Sequence, residues 1–145
     1  MAEIRPVTPG FAVSGQIRPE ELSELGSRFR AVINNRPDGE DPGQPSGAEL
    51  EAAARAANLA YHSIPISGAP NAEQVGRVRA AVSEADGPVL AFCRTGTRSI
   101  VTWALGRALD GHDVETLTAQ GRSAGYDLAP PLAALLPNLK NAAGA

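Results

Sequence analysis

Short apolar runs alternate with amphipathic segments of about a dozen residues along almost the whole chain, and this alternation limits the fold more than any other feature. FAVSGQI (11–17), AVIN (31–34), AYHSIPI (60–66) and VLAF (89–92) read as strands. Between and after them, RPEELSELGSRF (18–29), GAELEAAARAAN (47–58), AEQVGRVRAAVSEA (72–85) and SIVTWALGRAL (99–109) read as helices. Strands joined by single helices cannot be simple hairpin partners. The expected class is therefore α/β, a three-layer α/β/α arrangement around a mainly parallel sheet.

Local signals sharpen the helix starts. Pro19 suits a first helical turn, Ser46 with Glu49 three residues on forms a capping box, and Asn71 and Asp113 are good N-caps. Asp113 opens a helix running towards Gln120, and PPLAALL (130–136) makes a short last one. The stretch NRPDGEDPGQPSG is too rich in Gly, Pro and Asp to be anything but a long loop. In parallel sheets ligands sit beyond the carboxyl ends of the strands, so the loops beginning at Asn35, Ser67 and Cys93 should share one crevice.

The chain of 145 residues fits one domain, expected to span residues 1–137, with 138–145 a frayed tail. A net charge of -3 gives no long-range attraction for nucleic acid or anionic membranes. No window approaches a membrane span, and MAEIRPVTPG lacks the apolar core of a secretory signal, so a cytoplasmic location is expected. One Cys and two isolated His leave no internal disulfide and no zinc-like cluster; neither a metal nor a cofactor is called for.

That one Cys carries the chemistry. Cys93 falls at the end of a buried strand, and the residues after it run into a helix N-terminus, whose free backbone N–H groups favour an anion. The same field stabilises a thiolate. Arg98 brings a planar donor fork, Arg94 adds positive charge, and Gly96 lets the backbone turn tightly enough for its amides to converge. The Ser99 hydroxyl is placed to donate to the sulfur. A buried structural thiol would need none of these neighbours.

CRTGTRS resembles the C-x-x-G-x-R-S active loop of rhodanese-like sulfurtransferases. With INNRPDGE and YHSIPI ahead of it in this order, the chain resembles the beta-lactamase hydrolase-like family over residues 3–128. That family is described as phosphatases or sulfurtransferases with a fold similar to dual-specificity tyrosine phosphatases. The resemblance implies Cys93 as nucleophile and the amides of Arg94, Thr95, Gly96, Thr97 and Arg98 as an anion cradle. It also implies Arg98 as the anion-binding arginine and Ser99 as the hydroxyl that stabilises the thiolate.

Two reactions compete. Tyrosine-phosphatase-type loops carry five residues between cysteine and arginine, enough to encircle a phosphate, whereas Arg94 to Thr97 make four. Phe92 stands where that pattern has His, and the general-acid Asp expected about thirty residues upstream is replaced by His62 and Ser63. An acid matters because an alkoxide or phenolate leaves poorly without a proton. Asp38 is the candidate for that role, with Glu40 and Asp41 as alternatives. Sulfur transfer needs no acid, so rhodanese-type transfer through a Cys93 persulfide ranks first and a phosphocysteine-forming phosphatase second. A non-catalytic module that binds a persulfide or an anion is third.

The substrate would be a small thiosulfate- or persulfide-like donor or a phosphoester. Because relatives of this family occur joined to metallo-beta-lactamase-like domains that handle persulfides, a separate protein of that kind is an expected partner. Arg36, just past a strand end, is expected to help hold the anionic donor. His62 reads as a structural histidine, His112 as an exposed turn residue and Trp103 as core. Tyr126, in SAGYD, occupies a family-typical position to which the sequence attaches no chemistry.

Overall fold

A computed structural model describes residues 2–143. Five strands form one sheet: β1 (Arg5–Thr8), β2 (Phe11–Ser14), β3 (Ala31–Asn34), β4 (Ala60–Ser63) and β5 (Val89–Phe92), in the order β1-β2-β5-β3-β4. β1 runs antiparallel to β2, and every other pairing is parallel. The helices are α1 (Leu22–Leu25), α2 (Gly47–Ala56), α3 (Ala72–Glu84), α4 (Thr97–Leu109), α5 (Val114–Ser123) and α6 (Ala129–Ala143), with a 3-10 turn at Pro19–Glu21.

Strand alternation divides the core into two apolar layers, giving the expected three-layer α/β/α architecture. Phe11, Val13, Ala31, Ile33, Val89 and Ala91 face α3, α4, α5 and α6. Ala12, Val32, Leu90 and Phe92 face α1 and α2 through Leu22, Leu25, Leu50 and Ala54. β5 lies at the centre with β2 and β3 on its flanks, so all four of its residues are buried and all are apolar. α4 is buried along most of its length, and its Trp103 stacks on Phe11 with ring centroids 4.9 Å apart.

The helix caps follow the sequence. Ser46 Oγ accepts from Glu49 N at 3.1 Å, Asn71 Oδ1 from Gln74 N at 2.8 Å, and Asp113 Oδ2 from Thr116 N at 3.2 Å.

Three expectations need correction. RPVT was not read as a strand, yet it forms β1; its Pro6 is tolerated because β1 is the sheet edge, where a missing N–H leaves no ladder broken on the outer side. RPEELSELGSRF forms only the 3-10 turn and the single turn α1, which ends at Gly26, where the chain passes so close to α2 that a Cβ would lie 2.6 Å from the Ala57 carbonyl oxygen. The expected tail is instead the end of α6, which continues through Ala143; residues 144–145 lie outside the described residues. Leu132, Leu136 and Leu139 form one buried stripe at helical spacing, so core packing holds the helix beyond the internal Pro137.

Leu139→Ala should therefore cost about 2 kcal/mol of unfolding free energy, as for truncation of a buried leucine. Urea denaturation measures this, and a loss indistinguishable from zero would put Leu139 back in a frayed tail.

Candidate active site

β5 delivers Cys93 to the carboxyl end of the sheet, where the backbone turns directly into α4. Cys93 is fully buried. Its sulfur accepts a hydrogen bond from the Gly96 backbone N–H at 3.1 Å, and its own N–H reaches the Ser14 carbonyl at 3.4 Å. Gly96 is the N-cap of α4 with φ at 91°, a left-handed conformation that costs little without a Cβ. The sulfur thus lies at the positive end of a buried helix. Thr95 and Thr97 stay on the exposed rim, with hydroxyl oxygens 3.1 Å apart. Arg94 is also exposed, its Nε 3.8 Å from Asp41 Oδ2.

Arg98 points across the crevice to the loop after β3. Its Nη1 donates to Glu40 Oε2 and to the Ile66 carbonyl, both at 2.8 Å, and its Nη2 donates to Glu40 Oε1 at 2.9 Å. The loops starting at Asn35, after Ile66 and at Cys93 meet here, as the parallel sheet predicted. Hydrogen bonds from Arg98 and then Arg36 hold the Glu40 carboxyl down at about 2. Glu40 in turn raises the affinity of Arg98 for its proton, and the Cys93 sulfur pushes the same way. Glu40 therefore has no proton to give at neutral pH in this arrangement, which removes it as a general acid.

The structure gives other placements different from those expected. Ser99 Oγ donates to Asn35 Oδ1 at 2.8 Å instead of to the sulfur. Asn35 also bonds the Ile64 carbonyl at 2.9 Å, so this buried pair ties α4 to the strands beside it. Arg36, expected to meet an anionic donor, spends three of its five N–H donors on its own surroundings: Nε on Glu40 at 2.8 Å, Nη1 on Gln16 at 3.0 Å and Nη2 on Asp41 at 2.6 Å. With its side chain 4% exposed, it braces the loop. Asp38, the candidate acid, accepts from Gly47 N at 2.8 Å at the start of α2 and so is engaged away from the sulfur. His62 is half-buried on edge strand β4, and His112 is exposed.

Asn35, Glu40 and Tyr126 take parts in the site that their sequence positions did not reveal. Tyr126 donates its hydroxyl to the Thr95 carbonyl at 2.8 Å, from the connection between α5 and α6. Gln16, Pro19, Glu21, Arg36, Asp41 and Gln44 line an open cavity of about 670 Å³ between the 3-10 turn and the loop after β3, which no residue of the active loop lines. Among the described residues, no three His, Cys, Asp or Glu side chains gather where they could hold a metal ion.

This combination of fold and loop matches known proteins. The family described as beta-lactamase hydrolase-like protein, phosphatase-like domain, matches residues 3–110. The chain belongs to that family. A beta-lactamase hydrolase-like protein from Agrobacterium fabrum is 38% identical over 124 residues, covering 81% of this chain and 28% of the relative. The chain thus spans less than a third of the curated relatives it matches.

Among solved structures, a candidate phosphatase from Neisseria meningitidis superimposes with a TM-score of 0.78 at 27% identity, covering 96% of this chain and 97% of that one. A kinase-associated phosphatase, with its catalytic-site cysteine replaced by serine, gives 0.75 at 14% identity and covers 100% of this chain and 96% of its own. The fold is tyrosine-phosphatase-like, and the matched family is described as a phosphatase-like domain.

The lowered Glu40 value fixes the sign of a pH effect. Glu40 stabilises the fold fully above its ordinary value of 4.5, and that contribution is lost as the pH falls towards about 2. Glu40→Gln should be less stable than wild type at neutral pH, with the gap closing across that acid window. Denaturant unfolding at a series of pH values reads it out, and a gap independent of pH would mean that the carboxylate charge is not the source.

Proposed function

We propose that the domain is a cysteine-dependent, phosphatase-like hydrolase in which the Cys93 thiolate attacks the phosphorus of a small phosphoester. The observation that carries this reading is the Cys93 sulfur itself, held by the Gly96 amide at the start of α4 within a tyrosine-phosphatase-like fold. The S–P bond forms as the P–O bond breaks, giving a phosphocysteine, and the departing oxygen takes its proton from solvent. Water then attacks the same phosphorus, releasing inorganic phosphate and restoring the thiolate.

Positioning and charge supply most of the rate in such a reaction. The amides of residues 94 to 98 other than that of Gly96, which is spent on the sulfur, receive phosphoryl oxygens, and Arg98 supports the charge. A guanidinium has five N–H donors. Three of those on Arg98 are taken by Glu40 and Ile66, which leaves two for a bound oxyanion without breaking the bridge.

A second reading, rhodanese-type sulfur transfer, is favoured by one observation: only four residues separate Cys93 from Arg98. The thiolate would attack the outer sulfur of thiosulfate, expel sulfite, and pass the sulfur from Cys93 persulfide to an acceptor such as cyanide.

One set of assays separates the two. Phosphatase chemistry without an assigned acid predicts turnover of aryl phosphates with acidic phenols and roughly 100-fold or slower turnover of alkyl phosphates. Cys93→Ser should abolish release, and Arg98→Ala should reduce it about 100-fold. Thiocyanate formed from thiosulfate and cyanide faster than phosphate from any ester would replace the first reading by the second. Phosphate release that survives in Cys93→Ser would overturn both.

A further inference from the structure

We infer that Tyr126 is a positioning residue for the nucleophile: its hydroxyl fixes the Thr95–Gly96 peptide so that the N–H of that peptide faces the Cys93 sulfur. The inference rests on Cys93 as nucleophile but not on whether it attacks phosphorus or sulfur.

The argument turns on one peptide unit. The Thr95 carbonyl and the Gly96 N–H belong to the same planar amide and point in opposite directions across it. Tyr126 donates to that carbonyl at 2.8 Å, while the N–H on the other side donates to the sulfur at 3.1 Å. Whatever fixes the oxygen therefore aims the donor. The restraint is needed because Gly96, at φ 91°, lacks the Cβ that would hinder rotation of the peptide before it. A rotated peptide would turn its carbonyl oxygen towards the sulfur and repel a thiolate. A hydrogen bond on the carbonyl also polarises the amide and strengthens the N–H as a donor.

Tyr126 is itself fixed from several directions. Its backbone N–H bonds the Gly121 carbonyl at 2.8 Å. The Arg5 guanidinium lies 5.8 Å from the ring centroid and donates to the Ala124 carbonyl at 3.1 Å. Contact with the loop is close: a Cβ on Gly96 would lie 2.2 Å from the Tyr126 oxygen. Partial burial raises the phenol above its usual value, so the hydroxyl stays protonated and remains a donor throughout the neutral range.

The test exploits the presence of one cysteine in the chain. Ultraviolet absorbance of wild type minus Cys93→Ser, followed against pH, reports ionisation of this thiol alone and does not require access to the buried sulfur. The other ionisable groups around the loop are Arg94, Arg98, Glu40 and Asp41, with Arg5 and Glu3 beside Tyr126, and all are retained in the variants.

Tyr126→Phe keeps the ring and removes the hydroxyl. It should lower the thiol ionisation constant about three- to tenfold, the worth of one neutral hydrogen bond, with little change in melting temperature. If the ring only fills space, Tyr126→Phe will titrate like wild type and only Tyr126→Ala will differ, which overturns the inference and leaves Cys93 as nucleophile. A wild-type thiol that ionises no more readily than an ordinary cysteine would overturn both.

Discussion

Arg98 and Glu40 meet through two parallel N–H···O bonds, and this fork joins three pieces of chain that the sheet alone would leave independent. Arg98 belongs to the first turn of α4, Glu40 to the long loop after β3, and the Ile66 carbonyl, on the same guanidinium, to the segment after β4. Bidentate pairing between guanidinium and carboxylate fixes orientation as well as distance, so it defines the width of the crevice over Cys93. Arg36 completes the arrangement from below. Buried and surrounded by Glu40, Asp41 and Gln16, it makes a loop dense in glycine and proline into a fixed wall.

The cradle depends in turn on the strand that feeds it. β5 is central and apolar on both faces, so its end cannot shift without disturbing both core layers. Cys93 inherits that rigidity, and α4 begins four residues later with its N-terminus aimed back at the sulfur. A thiolate there replaces the hydration it loses on burial with the Gly96 N–H and the helix field. Asn35 performs the matching task on the next strand: its side chain spans Ser99 and Ile64, leaving that buried hydroxyl satisfied and unavailable to the sulfur.

The architecture and the loop CRTGTRS were legible because both are local signals. Short apolar runs, caps and a Cys-to-Arg spacing can be read without knowing what lies opposite. Glu40 and Tyr126 were not legible in the same way. Glu40 is 58 residues from Arg98 and one of three acids in a loop without periodicity, so only folding selects it over Asp38 and Asp41. Tyr126 reaches Thr95 across 31 residues through a connection between two helices. Ser99 and Arg36 show the converse limit: a polar residue beside a nucleophile or a strand end can point to a structural partner, and chain position does not say which. At the edges, Pro6 hid β1 and Pro137 hid the end of α6, since a proline argues against regular structure unless the tertiary setting tolerates it.

The choice between phosphorus and sulfur comes down to what a short loop can surround. Relatedness and fold favour the phosphatase-like reading, and the two unspent donors of Arg98 are suited to oxygens on a tetrahedral centre. One residue fewer between Cys93 and Arg98 draws the cradle tighter, and a carboxylate already seated on the arginine occupies part of the field a dianion would use. A doubly charged ester must therefore enter against Glu40, and so must thiosulfate, which is a dianion too; only the persulfide formed afterwards carries less charge. The Glu40 bridge thus sets a carboxylate beside the Arg98 donors while the Gly96 amide supports the sulfur from the α4 side, so either substrate must be held by the donors that the bridge leaves open.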